Sequence, residues 1–470
     1  MIKPVRKSFF VSLIIAAPIV TAAVLAWLLS LEGTVGMYQW IPQFQGILIA
    51  VGVLGISGPL LSLVGRERRF LRSTSVVLAV LGILVPLGMG GMYLKGALQF
   101  ATTTPPLLLI ADGVGNKGVP NLALVFRTNQ ATQNTLTFGE GMLNQKVTEQ
   151  LATREHVLPL VNLSPGTLYQ WRLNDGSPCT FTTPGVQPVD DTLYHFGAGG
   201  DPHFSGGSGG LSVSDATILP AVFKYVTAQG SASPFHTFFL LGDFANMGSD
   251  FADWEFGLNL VAPFTCSVPL RPVMGNHDTY TNGAPQYEAY FYPQNMDNPN
   301  GSRSYYRIDS GRIHFILLKM PWGTESFTGE QRAWFIKQME SIPADDWTIV
   351  MEHSVVYSSA SMEDGKQYFD PVNMVEQVAP LFEKFKVDLV ITGHEHQLEF
   401  LQKNGVSYAT VGGLGAPLED VATNKSIASV WYLPKQHGFL DVTVHPDTID
   451  LIFRDPSGVE LKSFSIGQNQ

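Results

Sequence analysis

Asp201 and His203 in GGDPH, Asp243 in LLGDF, Asn276 in GNHD, His353 in VMEH, and His394 with His396 in GHEH are side chains of the kinds that hold metal ions. They fall, in that order, in five short motifs in the second half of a 470-residue chain. Carboxylate, amide and imidazole donors suit hard and borderline cations. Two cations held close together need an anion between them to relieve their repulsion, and one aspartate with two oxygens can supply it. GHEH alone could be any loop, and GNHD could be a plain turn, because Gly and Asn both favour turns. Five such motifs in series, most of them preceded by an apolar run, are hard to ascribe to chance.

Those apolar runs are the elements that must position the donors. Thr237 to Leu241, Thr348 to Met351 and Val387 to Thr392 read as buried strands of an α/β sheet. Each delivers a polar residue at its carboxyl end, where open α/β sheets place ligand sites. Repetition gathers Asp, Asn and His at one edge, the arrangement of a two-metal phosphoryl-transfer site. Amphipathic stretches Asp215 to Ala228, Thr328 to Met339 and Pro371 to Phe385 read as helices alternating with these strands. Tyr305 to Met320 and His437 to Arg454 read as hairpins. The six histidines outside the motifs, His156, His195, His236, His314, His437 and His445, read as ordinary structural residues.

With the blocks DPH, GDF, GNHD, VMEH and GHEH on roughly residues 100–455, the chain resembles the calcineurin-like metallophosphoesterases, and among them the purple acid phosphatases. The resemblance implies a β-sandwich flanked by helices. It implies one metal on Asp201, His203 and His396, a second on Asn276, His353 and His394, and Asp243 bridging the two. His277 would be the catalytic acid or the stabiliser of the phosphoryl oxygens. Asp278 would join it in the catalytic set, orienting His277 or capping the loop. The expected reaction is hydrolysis of a phosphate monoester by a metal-bridging hydroxide. A phosphodiesterase, or a lipid-linked pyrophosphate hydrolase, could use the same donors, and a non-catalytic phosphate sensor is a third reading. Purple enzymes look like GDxxY and DxG where this chain has Asn246 and His203. A tyrosinate-bound ferric ion is therefore not expected, and the two divalent or mixed-valence ions are left among Mn, Zn and Fe. Glu352 and Glu395 read as exposed or as supports of the ligands. Phe204 to Gly210, Tyr280, Tyr287 and Tyr357 could shape the pocket.

The first hundred residues have another character. Ser8 to Leu31, Gly46 to Val64 and Thr74 to Leu94 are uncharged apolar stretches near the length of about 20 residues that spans a bilayer. Lys3, Arg6 and Lys7 precede the first, and Arg66, Arg68, Arg69 and Arg72 crowd the connection between the second and third. The positive-inside rule puts both clusters in the cytoplasm and the remainder of the chain outside it, periplasmic or extracellular. Residues 1–99 hold eight basic side chains against two acidic, whereas the rest hold 21 against 38. An outer part so acidic has no long-range attraction for nucleic acid and suits a small phosphorylated substrate drawn in by metals.

Thr102 to Pro106 reads as a linker, and Leu107 to about Thr183 as a β-sandwich. Its HVLPLVNLSPGTLYQWRL and FTTP segments are similar to a fibronectin type III-like domain, which purple acid phosphatases carry just before the catalytic one. The expected division is thus 1–100 membrane module, 101–186 sandwich and 187–470 catalytic domain. Cys179 and Cys266 could pair in an oxidising compartment, but they then fall in different domains and read rather as two thiols.

Overall fold

Three stretches of N-terminal sequence almost without charge form helices at Lys3–Leu29, Pro42–Val64 and Arg69–Leu98. The computed structural model describes residues 3–30, 42–64, 69–98, 100–114, 118–185, 192–206, 214–230, 233–293, 296, 302–327, 329–360, 362–363, 366–367 and 369–468. Within the helices, Val11–Leu29, Gln45–Leu63 and Ser73–Gly91 are each long and apolar enough to cross a membrane. Small residues let the three backbones approach. Thr21 donates to the Gly82 carbonyl at 2.6 Å and Ser75 to the Gly58 carbonyl at 2.7 Å. A Cβ on Gly58 would meet the backbone of Ser75 and Ala79. Such contacts are the usual means of packing helices in lipid. Arg66 and Arg68 lie outside the described residues.

The chain divides into two units, one of residues 1–100 with 279–283 and the other of residues 101–278 and 284–470. The second unit begins with seven strands: β1 Thr104–Val114, β2 Pro120–Thr132, β3 Thr135–Glu140, β4 Gln145–Thr148, β5 Thr153–Leu160, β6 Leu168–Leu173 and β7 Cys179–Thr182. They form two layers, β1-β2-β5 and β4-β3-β6-β7.

The remainder is built on two larger sheets. The first contains β8 Tyr194–Gly199, β9 Thr237–Leu240, β10 Leu270–Pro272, β20 Phe439–Val444, β21 Thr448–Arg454 and β22 Glu460–Gly467. Its order is β22-β21-β20-β8-β9-β10, and it runs on through β1-β2-β5, with Leu109 of β1 paired parallel to Leu270 of β10. The second contains β11 Tyr306–Ser310, β12 Ile313–Leu317, β13 Trp347–Glu352, β16 Leu389–Thr392, β17 Leu398–Lys403, β18 Val406–Val411 and β19 Ser429–Leu433, in the order β11-β12-β13-β16-β18-β17-β19. Between β13 and β16 in sequence, the two-residue strands β14 Met362–Glu363 and β15 Lys366–Gln367 make a separate hairpin.

Strands β8, β9 and β10 are mutually parallel, as are β12, β13, β16 and β18. Aromatic rings join the two sheets: Phe315 of β12 contacts Phe196 of β8 at 5.5 Å and Phe239 of β9 at 5.1 Å. The single α/β sheet suggested by the apolar runs is therefore two, as the β-sandwich implied by the resemblance requires. Both hairpins form where expected, Tyr306–Leu317 and Phe439–Arg454. The Pro371 to Phe385 stretch is not one helix but two, Val372–Gln377 and Ala379–Lys384. Pro380 lacks an N–H and restricts the residue before it, which breaks the run.

Candidate metal centre

All five motifs sit at the carboxyl ends of parallel strands. Asp201 follows β8, Asp243 follows β9 and Asn276 follows β10, all from the first sheet; His353 follows β13 and His394 follows β16, from the second. Four of the seven donors hold positive φ: Asp201 at 65°, His203 at 47°, Asp243 at 52° and His394 at 69°. That conformation costs an L residue roughly 1–3 kcal/mol, and such strain gathers at functional sites. The loops hold one another in this shape. His203 N–H donates to Asp243 O at 3.0 Å, Phe204 N–H to Phe244 O at 2.9 Å and Gly248 N–H to His277 O at 2.9 Å. Glycine opens the motifs for a steric reason. A Cβ on Gly242 would meet the ring of His353, and one on Gly275 would meet the Asp243 carboxylate.

The donors converge in two groups that share one carboxylate. On one side, the Asp201 carboxylate lies 3.8 Å from His203 Nε2 and 3.5 Å from His396 Nε2. Asp243 Oδ2 reaches the same His203 Nε2 at 3.2 Å. On the other, Asp243 Oδ1 lies 3.4 Å from His353 Nε2. Asn276 Oδ1 is there 2.8 Å from His353 Nε2 and 3.1 Å from His394 Nδ1. In the groups Asp201–His203–His396, His203–Asp243–His277 and Asp201–Asp243–His353, the donor atoms lie within 4.8 Å of one another.

The nitrogens that face away are fixed by carbonyls. His353 Nδ1 meets Leu241 O at 2.7 Å, and His396 Nδ1 meets Pro417 O at 2.8 Å. A carbonyl can only accept, so each ring carries a proton on Nδ1 and turns Nε2 inward, the nitrogen a metal would take. His277 is held likewise, Nδ1 to Asn246 O at 2.8 Å, which leaves Nε2 as the nitrogen able to meet a substrate.

The electrostatics fit a cation. Asp201 and Asp243 are 0 % and 2 % exposed, and among the described residues their ion-pair partners are all histidines. Burial pushes the Asp201 carboxyl up, but hydrogen bonds from His203 and His396 and the charge of His353 outweigh it and hold it well below the usual range. Asp243 is lowered in the same way, burial being overcome by the charges of His353 and His277. Burial works against charge on His203, yet the Asp201 and Asp243 carboxylates lift it to about 10; His353 rises to about 9 against the same penalty, through Asp243 first. By contrast, His277 falls to about 3, through burial first and then the charge of His203. Two buried anions whose ion-pair partners among the described residues are all histidines form a donor set that a metal pair would neutralise.

The structure thus brings all seven predicted donors together, with His277 beside them. Asp278 is fully buried and takes the loop-holding place: it accepts from Ala245 N–H at 3.0 Å and Gly275 N–H at 2.9 Å, tying the Asp243 loop to the Asn276 loop. Burial first, then the Asp243 charge, raises its carboxyl to about 7. Glu352 and Glu395 are buried, not exposed. Burial pushes the Glu352 carboxyl well above its usual range, and among the described residues neither of its oxygens has a hydrogen-bond partner. Tyr287 donates to Pro272 O at 2.8 Å and Tyr357 joins a hydrophobic cluster, so both are core residues rather than pocket walls. Gly207 to Gly210 lie outside the described residues. The six other histidines have structural contacts: His156 with Glu149 and Thr128, His195 with Asp441, His314 with Asp309 and Asp346, His445 with Asp450, while His236 accepts from His195 N–H and His437 donates to Gly413 O.

Two features of the surroundings were not evident in the sequence. Cys179 of β7 and Cys266 form a disulfide with a Cα–Cα distance of 5.1 Å, which corrects the expectation of two thiols. The expectation failed because β7 and the end of helix Phe251–Thr265 lie side by side, Trp171 Nε1 also donating to Cys266 O at 3.1 Å. The second is that helix itself. Asp253 and Trp254 near its start contact the ligand loops, and the only sequence signal was Asp250, a helix-capping residue whose side chain accepts from Ala252 N–H.

Comparison with known proteins agrees with this geometry. Residues 195–398 match the family model described as calcineurin-like phosphoesterase. An uncharacterised protein of Mycobacterium tuberculosis is 25% identical over 338 residues, covering 66% of this chain and 61% of that protein. Purple acid phosphatase 1 of Ipomoea batatas is 24% identical over 282 residues, 56% of each. The chain thus spans less than two thirds of the length of these relatives. Among solved structures, a purple acid phosphatase from yellow lupin (Lupinus luteus) seeds shares the fold with a TM-score of 0.63 at 18% identity, covering 78% of this chain and 75% of that one. The strands, the converging donors and the family match together show that this chain carries a calcineurin-like metallophosphoesterase domain, with purple acid phosphatases among its relatives.

Proposed function

We propose that the chain is a membrane-anchored phosphatase that hydrolyses phosphate monoesters outside the cytoplasm. The observation that carries the reading is Asp243, whose two oxygens face two separate donor sets, Oδ2 toward His203 and Oδ1 toward His353. Asp201, His203 and His396 with Asp243 would hold one ion, and Asn276, His353 and His394 with Asp243 the other. Mn, Zn or Fe suit imidazole, amide and carboxylate donors, and Asn246 offers no phenolate for ferric iron. Such a pair supplies Lewis-acid stabilisation of a phosphoryl group and a water nucleophile at neutral pH.

The chain's own residues do the rest. Carbonyls of Leu241 and Pro417 lock His353 and His396 in the tautomer that ligates. Asn246 O orients His277, whose Nε2 meets the phosphoryl oxygens or the leaving alcohol; a phosphate anion docked there favours the protonated ring that can donate. Asp278 keeps the Asp243 and Asn276 loops in register.

Anchoring rests on the three apolar helices, and the outward orientation on the basic residues flanking them. The Cys179–Cys266 disulfide supports an oxidising compartment for the catalytic part. The strand orders β1-β2-β5 and β4-β3-β6-β7 support reading 101–186 as a fibronectin type III-like module ahead of the catalytic region 187–470. The test is the ratio of monoester to diester hydrolysis by the purified full chain reconstituted with Mn, Zn or Fe. A ratio strongly favouring the monoester supports the proposal, and the reverse makes the chain a phosphodiesterase. Two bound metals without turnover would mark a phosphate-binding sensor.

A further inference from the structure

One carboxylate outside the donor set touches two of the three loops that build the first metal position. Asp253, fully buried in helix Phe251–Thr265, accepts from Gly206 N–H through Oδ1 at 2.8 Å and from Met247 N–H through Oδ2 at 3.0 Å. Gly206 lies three residues after His203 on the segment that carries Asp201 and His203, and Met247 lies four residues after Asp243 on the next. The same helix fixes both loops at neighbouring points. Trp254 Nε1 donates to Gly248 O at 2.7 Å, and a Cβ on Gly257 would strike the rings of Phe204 and Phe244. A carboxylate accepting two backbone N–H groups makes strong, directional bonds, and in a buried place it admits little slack.

We propose that Asp253 is a positioning residue: by clamping the Asp201–His203 loop to the Asp243 loop it sets the spacing of those three donors and so the affinity of the centre for metal. The assignment rests on the metal-centre reading above. Loop spacing matters because metal affinity depends on donors already held near their bound positions, and groups behind the ligands typically change it 10–100-fold. Asp253→Asn keeps the size of the side chain but replaces one acceptor oxygen with an NH2 that faces a backbone N–H. One of the two clamps must then open.

The test is calorimetric titration of the demetallated full chain with Mn2+ or Zn2+. For Asp253→Asn, one of the two binding steps is expected to weaken ~10–100-fold. The control is Asp250→Ala, which removes the cap of the same helix, where Asp250 accepts from Ala252 N–H at 3.0 Å. It is expected to lower the melting temperature and leave both metal steps unchanged. If Asp253→Asn does not fold, Asp253→Ser, which leaves room for a water between the loops, takes its place in the titration. Two metals bound by the variant with wild-type affinities overturns the role of Asp253 alone. A wild-type chain that takes up no metal overturns the metal centre and this assignment with it.

Discussion

Asp243 is where the two halves of the site meet. Its oxygens face His203 at 3.2 Å and His353 at 3.4 Å, and Oδ1 also accepts from His277 N–H at 2.8 Å. Asp243→Asn keeps the shape and removes the charge between two cations. Metal content, measured by mass spectrometry of the dialysed protein, is expected to fall to one ion per chain or fewer. His277 belongs to the other class: its Nδ1 is taken by Asn246 O, and each of the two proposed donor sets is complete without it. His277→Ala is expected to lower turnover by roughly 10²-fold or more with both metals retained; unchanged turnover would remove its catalytic role. At this scale the sequence was informative, because metal chemistry limits the residue types and each motif carries its own donor. Asp278 was singled out from sequence with its place open between orienting His277 and capping a loop, and its bonds to Ala245 and Gly275 show it holding the loops. Asp253 was not singled out at all, because a carboxylate that works through backbone N–H groups leaves no pattern in residue types.

Helix Phe251–Thr265 shows why an element can be missed while the residues it serves are found. Its buried side chains are Asp253, Trp254, Gly257, Leu258, Val261 and Thr265, a clean helical stripe. With an acid, a glycine and a threonine on it, the stripe has no apolar periodicity to read. The glycine is there because Phe204 and Phe244 occupy the space of its Cβ. Gly257→Val is therefore expected to destabilise the folded state by about 1–3 kcal/mol through overpacking, seen as a lower melting temperature. Helix Ile218–Ala228 was legible because its apolar positions fall on one face, and the two hairpins because apolar runs flank a turn. That the parallel strands form two sheets came from the family resemblance and not from the pattern, since a fully buried strand reads the same in either sheet.

Across the whole chain, the first sheet continues from β10 into β1, and the disulfide closes a separation of 87 residues between the same two regions. The sandwich strands and the catalytic sheet are thus joined by backbone pairing and by a covalent bond. Replacing both cysteines by serine is expected to cost about 2–4 kcal/mol, with the melting temperature of the detergent-solubilised full chain falling accordingly. Domain boundaries drawn from composition put the cysteines apart, whereas the fold sets β7, in the four-stranded layer, beside the end of the helix.

Acid should weaken the same structure through His236. It accepts His195 N–H at 3.0 Å, and burial first, then the charge of His195, lowers it to about 3. Its unfolded value is near 6.5, so below that pH the unfolded chain binds a proton the folded one refuses. The stability this group lends is present above about pH 6.5 and lost as pH falls toward 3, by about 1.4 kcal/mol per pH unit. His236→Asn can still accept that N–H and does not titrate there; its melting temperature is expected to drop less than wild type between pH 7 and pH 5. The three apolar helices were the easiest feature to read, because a bilayer imposes length and composition together.

The most direct test of the account is the number of metal ions per chain in the purified full-length protein, paired with anomalous scattering from its crystals. Two ions are predicted, one among Asp201, His203 and His396, one among Asn276, His353 and His394, with Asp243 reaching both. A single ion with Asp243 on one side only, or none after reconstitution with Mn, Zn and Fe in turn, would contradict it.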